Sequence, residues 1–117
     1  MAPGSALRRF FPMPLAPLTR IQAFERLQAA EAEILALGVG RLALFGSVAR
    51  NEARPDSDVD VLVEFLPAQK NLARFMALVD LLEVLLERKV EVVTAEALSP
   101  FIGPHILAEA ADVLRAA

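Results

Sequence analysis

The 117-residue sequence contains no cysteine, no tryptophan and no tyrosine, and it has a single histidine. Without cysteine the chain cannot form disulfide bonds, thiolate metal sites or a cysteine nucleophile. Without tryptophan and tyrosine, stacking on single-stranded nucleic acid would depend on seven phenylalanines. The lack of cysteine also suits a reducing compartment, and we expect a cytoplasmic protein.

The sequence also lacks a large excess of charge of either sign and lacks long apolar runs. Lys and Arg number 12 against 15 Asp and Glu, a net charge of −3, and no block of about five or more like charges occurs. Since nucleic-acid affinity depends on a basic surface, we expect no direct binding to DNA or RNA. No apolar run reaches the roughly 18 residues of a membrane span, so we expect no membrane association.

Length and local composition divide the chain into a short arm and one domain. Residues 1–18 contain four of the eight prolines, which predicts a flexible or polyproline-II-like N-terminal arm. Residues 19–117 form the predicted domain. At 56% hydrophobic residues, the chain has more apolar surface than one small core is expected to bury. We therefore expect a surface that contacts another protein chain, in a homo- or hetero-oligomer.

Hydrophobic periodicity predicts helices that alternate with short strands. A first helix begins after Thr19, which forms a capping-box pattern with Gln22, and ends near Gly38. Strands are predicted at 41–45, 58–65 and 89–93, with helices after each of them: a short one from 47, a long one over 71–88, and an interrupted one over 99–114. The predicted order is α-β-α-β-α-β-α, an α/β or α+β domain with a small mixed sheet covered by helices.

Two aspartates stand at the beginning of the second predicted strand. Asp58 and Asp60 are two positions apart, so their side chains are expected on the same face of the strand. Their charges repel each other, and divalent cations would offset that repulsion. The spacing suits paired Mg²⁺ ions about 3.5 to 4 Å apart, as used in phosphoryl and nucleotidyl transfer. Taken alone, such a pair is more often a solvated strand edge.

Gly46 and Ser47 stand where the first strand gives way to a short helix. Free backbone N–H groups at such a point can hold a phosphate, and a glycine lets the phosphate approach closely. The same two residues are equally typical of a turn glycine and a helix-capping serine. Arg50 could neutralise phosphate charge, or it could pair with a nearby acid such as Glu52 or Asp56. Both interpretations of each residue stay open at this point.

The stretch GSVARNEARPDSDVDVLV, residues 46–63, resembles the G-S-x-A-R-x-E-x-x-x-D-S-D-x-D-x-L-V signature of the minimal nucleotidyltransferases (MNT), members of the DNA polymerase β-like superfamily. The resemblance extends over residues 37–114. It implies that Gly46 and Ser47 hold the triphosphate and that Asp58 and Asp60 bind metal. Glu91 falls where the family usually has a third aspartate, which implies a further metal-binding and catalytic carboxylate.

The resemblance implies an Mg²⁺-dependent enzyme that takes ATP or another NTP and transfers the nucleoside monophosphate, AMP in the first place, to a hydroxyl. Within the family, it points to the antitoxin of a HEPN/MNT toxin–antitoxin pair, whose acceptor is its partner toxin. Asn51 departs from the usual glycine, but asparagine tolerates the left-handed conformation. Glu91 departs from the usual aspartate. Together with the apolar surface, Glu91 supports a second hypothesis, a weak or inactive binding protein that neutralises its partner by occlusion. A third is a nucleotidyltransferase that modifies a small molecule such as an antibiotic.

Overall fold

A computed structural model of the chain describes residues 16–116. The helices are α1 (Arg20–Ala29), α2 (Glu31–Ala36), α3 (Gly46–Ala49), α4 (Leu72–Leu86) and α5 (Gly103–Glu109), and a single 3₁₀ turn spans Ala95–Ala97. The strands are β1 (Val39–Phe45), β2 (Val59–Phe65), β3 (Val90–Thr94) and β4 (Ala111–Arg115). They form one sheet in the order β3-β2-β1-β4, in which β1 is antiparallel to β2 and β4, and β2 is parallel to β3. The predicted fold class, a small mixed sheet with helices, is confirmed.

The hydrophobic core lies between the sheet and the longer helices. Val59, Val61 and Val63 alternate along β2 and are fully buried. The helices contribute a second layer of buried apolar side chains, which are Ala23, Leu27, Ile34, Leu78, Leu82 and Leu86. Because successive strand residues point to opposite faces, the residue between Val59 and Val61 faces away from this layer. That residue is Asp60.

The helix predicted to run without a break from Thr19 to Gly38 is two helices. Its start is as predicted, because Thr19 and Gln22 form both hydrogen bonds of the capping box. The first helix ends at Ala29, and the second begins at Glu31 after Ala30, whose φ of −108° departs from helical values. Alanine and glutamate are good helix formers and carry no turn signal, so the local sequence does not announce this break.

The prediction for the C-terminus is wrong in its secondary structure. The last helix begins at Gly103, where the sequence predicts an interruption or restart, but it ends at Glu109 instead of running on to Leu114. Residues Ala111–Arg115 then form strand β4, which pairs with β1 from Arg41 to Leu44. The apolar residues of this short segment are compatible with either a helix or a strand. The segment forms a strand because its pairing with β1 satisfies the backbone N–H and C=O groups along β1.

Residues 16–18 connect directly to the core. Leu18 is only 2% exposed, and the Ala16 carbonyl accepts a 2.9 Å hydrogen bond from Nη2 of Arg88. Most of the arm predicted over residues 1–18 lies outside the described residues, so the arm and the domain boundary stay predictions. Within residues 16–116, no helix combines the length and the apolar character that a membrane span requires.

The core assignment can be tested with two leucines of opposite exposure. Leu42 on the interior strand β1 is fully buried, whereas Leu72 at the start of α4 is 75% exposed. We expect Leu42→Ala to lower the free energy of unfolding by about 2 to 5 kcal/mol, because it leaves a cavity in the core. Leu72→Ala should change it by less than about 0.5 kcal/mol. Urea denaturation of both variants measures these changes. Equal losses in the free energy of unfolding would contradict the placement of Leu42 in the core.

Candidate active site

Strand register brings the predicted site residues to one region of the sheet. Phe45, the last residue of β1, is paired with Asp60 of β2. On the other side of β2, Asp60 is in register with Glu91 of β3. Gly46 follows Phe45 directly, so the phosphate-binding candidate and two of the candidate metal ligands lie on neighbouring strands. Asp58 immediately precedes β2 and is exposed.

Gly46 forms a tight turn against Asp60. Its φ of +75° is in the region that residues with a side chain rarely adopt. A Cβ at this position would overlap Oδ2 of Asp60 and lie 3.0 Å from its Cγ. Glycine is thus required here by conformation and by space, whatever else the position does.

Ser47 lies in the first turn of α3, directly after Gly46. Val48 and Ala49 are buried and anchor this short helix to the core. Gly46 and Ser47 remain partly accessible. The Gly46–Ser47 turn is therefore partly accessible from solvent, and it lies against the carboxylate of Asp60.

Hydrogen bonds within the loop and to α1 hold the segment between α3 and β2. The Arg54 backbone N–H donates to Oγ of Ser57 at 2.8 Å, which shapes the turn before Asp58. Asn51 stands where the MNT family commonly has glycine after the arginine, and its φ is +59°. Its Oδ1 accepts a 3.1 Å hydrogen bond from the backbone N–H of Arg20. Asparagine tolerates this left-handed conformation, so the turn survives the departure from glycine.

The carboxylates of the site act on one another electrostatically. The pKa of Asp60 is raised, first by its burial and then by the negative charges of Glu91, Asp58 and Glu109, while the positive charge of Arg50 opposes the shift. Such a shift means that the ionised form of Asp60 is less favourable in the folded protein than in the unfolded chain. A cation bound among these groups would relieve that repulsion.

The donor chemistry fits a magnesium ion that arrives with a nucleotide. No group of three or more His, Cys, Asp or Glu side chains among residues 16–116 is already arranged as a metal cage. Mg²⁺ usually takes one or two protein carboxylates and completes its shell with water and substrate phosphate oxygens. The partly buried Asp60 and the nearby Asp58 match that requirement. Glu91 is exposed on β3, in register with Asp60, and its role as a third carboxylate stays a prediction.

Glu109 is a site residue that the sequence did not indicate. It is the last residue of α5, and its Oε2 accepts hydrogen bonds from the Gly46 backbone N–H at 3.2 Å and from Nη1 of Arg50 at 2.7 Å. Arg50 also donates through Nε to Glu52 at 3.0 Å, and both contacts raise the pKa of Arg50, that to Glu52 most. Glu109 is 59 positions from Arg50, so only the packing of α5 beside α3 reveals the contact.

The comparisons with known proteins concern the family and the fold. Residues 25–112 match the family model described as a nucleotidyltransferase domain. The chain therefore belongs to the nucleotidyltransferase family, as the resemblance implied, and the expected enzyme class is confirmed. Among its relatives is a candidate protein adenylyltransferase of Methanocaldococcus jannaschii. The two proteins are 43% identical over 81 residues, which make up 69% of this chain and 86% of the relative.

Two solved structures illustrate the likeness in fold. One, described as a candidate minimal nucleotidyltransferase, matches with a TM-score of 0.63 and 38% sequence identity, over 75% of this chain and 93% of that chain. The other is a toxin–antitoxin complex with AMP-PNP, which matches with a TM-score of 0.59 over 85% of this chain and 75% of that chain. At 16% identity, the second likeness concerns the fold alone.

The close packing of Gly46 on Asp60 leads to a stability prediction. Gly46→Ala should lower the free energy of unfolding by about 1 to 3 kcal/mol through backbone strain, and further through overlap with Asp60. In an Asp60→Ala background the overlap with Oδ2 and Cγ is gone and only the 3.2 Å contact with the Cβ remains, so the same substitution should be less destabilising. A double-mutant cycle measured by urea denaturation compares the two backgrounds. Equal effects in both would contradict direct packing of the turn on the carboxylate.

The raised pKa of Asp60 predicts a dependence of stability on pH. A carboxyl group whose pKa is raised in the folded state stabilises the fold at pH values below its ordinary pKa, which is 3.8 for aspartate. This stabilisation is lost as the pH rises through the pKa of the folded state. Asp60→Asn should therefore be more stable than the wild type at pH 7 without divalent cations, and the difference should shrink towards pH 4. Urea denaturation at both pH values measures it.

Asp112 is the matched control, because its shift has the opposite sign. Burial would raise its pKa, but hydrogen bonds from Arg41 and Arg115 lower it below the ordinary value. Asp112→Asn should therefore lose stability at pH 7. A neutral-pH loss for Asp60→Asn as well would refute the proposed repulsion among the site carboxylates.

Proposed function

We propose that this protein is an Mg²⁺-dependent protein adenylyltransferase, which transfers AMP from ATP to a hydroxyl on a partner protein. The observation that carries the proposal is the packing of the Gly46 turn directly against Asp60. Donors suited to phosphate and carboxylates suited to Mg²⁺ thereby stand side by side. Such an arrangement serves a metal–triphosphate complex better than it would serve either component alone.

Each predicted residue takes a role that follows from its position. The Gly46 N–H and the Ser47 hydroxyl donate to phosphate oxygens, and Arg50 offsets the triphosphate charge. Asp58 and Asp60 hold Mg²⁺, with Glu91 as the third carboxylate. Bound Mg²⁺, as one ion or two, supplies charge stabilisation at the transferring phosphate and favours deprotonation of the acceptor.

The transfer itself exchanges one phosphorus–oxygen bond for another. The acceptor oxygen bonds to the α-phosphorus while the bond from that phosphorus to the bridging oxygen breaks, so pyrophosphate leaves. The acceptor hydroxyl gives its proton to a carboxylate of the site. Glu91 is exposed there, next to Asp60 on the neighbouring strand, and an acceptor can approach it from solvent.

A partner protein is the acceptor best supported. The relatives are named as protein adenylyltransferases, and one matched fold comes from a toxin–antitoxin complex with a nucleotide analogue. Phe101, Ile102 and Leu107, in and before α5, are 87%, 56% and 47% exposed. Clustered apolar exposure of this kind suits contact with another protein. We infer that this chain is the antitoxin of a HEPN-type toxin and that it modifies that toxin in the cytoplasm.

The test is label transfer from ATP radioactive at its α-phosphate to the product of the neighbouring gene. With Mg²⁺ present, the wild type should label the partner, and chelation of Mg²⁺ should abolish the signal. Asp58→Ala/Asp60→Ala should lower the rate by about 100-fold or more, because it removes the charges that hold the metal. Glu31→Ala/Glu33→Ala is the matched control, since it removes two exposed carboxylates at the same spacing from α2.

The same experiment separates the competing functions. If no variant labels the partner, and Asp58→Ala/Asp60→Ala still neutralises it, the protein acts by occlusion. Label transferred to a small molecule in place of the partner would favour the third hypothesis. Both results would overturn protein adenylylation.

A further inference from the structure

We propose that Glu109 is a carboxylate latch on the phosphate-binding turn, which an entering triphosphate displaces, so that Glu109 sets the affinity for nucleotide. The inference rests on the proposed function, because it concerns how the nucleotide reaches Gly46 and Arg50. It adds to that function a residue from α5, outside the MNT signature.

The latch is defined by three hydrogen bonds. Oε2 of Glu109 accepts from the Gly46 backbone N–H at 3.2 Å and from Nη1 of Arg50 at 2.7 Å, and Oε1 accepts from the same Nη1 at 3.0 Å. A backbone N–H beside a guanidinium is the combination of donors that binds a phosphate oxygen. The Glu109 carboxylate thus occupies the hydrogen-bond donors that the proposed function assigns to the triphosphate.

A triphosphate and the Glu109 carboxylate cannot share these donors. Gly46 has one N–H, and two anions at that point would repel each other strongly at the partly buried site. The negative charge of Glu109 already adds to the charges that raise the pKa of Asp60. A second anion beside an unmoved Glu109 would increase this repulsion, so binding requires the carboxylate to leave.

The second carboxylate on Arg50 has a different position. Among residues 16–116, the Glu52 side chain accepts a hydrogen bond from Nε of Arg50 alone, at 3.0 Å, and has none with Gly46. When Glu109 leaves, Glu52 can still orient the guanidinium towards the turn. Glu52 therefore offers a matched control, since it shares the Arg50 contact and lacks the contact with Gly46.

Binding measurements distinguish a latch from a residue that merely positions Arg50. Isothermal titration of the full chain with inorganic tripolyphosphate, and with ATP, in the presence of Mg²⁺, gives the affinities. A latch predicts that Glu109→Ala and Glu109→Gln bind both ligands about tenfold more tightly than the wild type, because a competing charged hydrogen-bond acceptor is gone. Glu52→Gln should not tighten binding of either ligand. Unchanged or weaker binding by both Glu109 variants would overturn the latch and favour positioning.

A spectroscopic readout in the wild type covers the case in which the variants fold poorly. Phe45–Gly46 is the only Phe–Gly pair in the sequence, so carbonyl-¹³C phenylalanine with ¹⁵N glycine isolates the Gly46 amide signal. Tripolyphosphate should shift that signal in the wild type, and folded Glu109→Ala should show a shifted signal before any ligand is added. A Gly46 signal that stays unmoved at saturating tripolyphosphate, or no binding by any form of the protein, would overturn the proposal.

The outcomes for the latch and for adenylylation are independent. Tighter tripolyphosphate binding by the Glu109 variants, with no labelling of a partner, would leave the latch standing and reject the transfer reaction. Labelling by the wild type, with weaker binding by both Glu109 variants, would reject the latch and leave the transfer reaction standing.

Discussion

The charge of Asp60 is the constraint on which the site depends. The alternation of β2 buries Val59 and Val61 and turns Asp60 to the other face, where it packs beneath the Gly46 turn. Burial and three neighbouring carboxylates make its ionised form unfavourable, and Arg50 only partly offsets them. The folded chain tolerates this arrangement because the rest of β2 is well packed, so the stability of the core supports a strained functional group.

Charge balance explains why cations and anions meet here. Several carboxylates surround Asp60, and the guanidinium of Arg50 is shared between Glu52 and Glu109. A magnesium–triphosphate complex carries the opposite charge to each of these groups: its cation can bind the carboxylates, and its anion can bind the guanidinium. The site is thus suited to a ligand of mixed charge, and the proposed latch, the carboxylate of Glu109, competes with its anionic part.

Features with a local cause could be predicted from the sequence. The capping box of Thr19, the alternation of β2 and the G-S and D-x-D pairs each depend on residues within a few positions of one another. The sheet then brought Gly46, Asp60 and Glu91 together as the family resemblance implied. The assigned roles of these residues in metal and phosphate binding remain predictions.

Features with a distant cause could not be predicted in this way. The chain after Glu109 is a strand because β1 has backbone groups to pair, and nothing within Ala111–Arg115 announces that partner. Glu109 reaches Gly46 across 63 positions through the packing of α5. The division between α1 and α2 occurs in a run of helix formers, where local propensity favours continuity.

The pairing of Phe45 with Asp60 has a consequence for how this site can change over time. A slip of one residue between β1 and β2 would turn Asp60 into the apolar layer and bring Val59 or Val61 out beside Gly46. The register that fills the core is therefore the same register that aligns the turn with the carboxylate. A lineage of such proteins could lose activity through single side-chain changes, but it could not misalign the site without also giving up the fold.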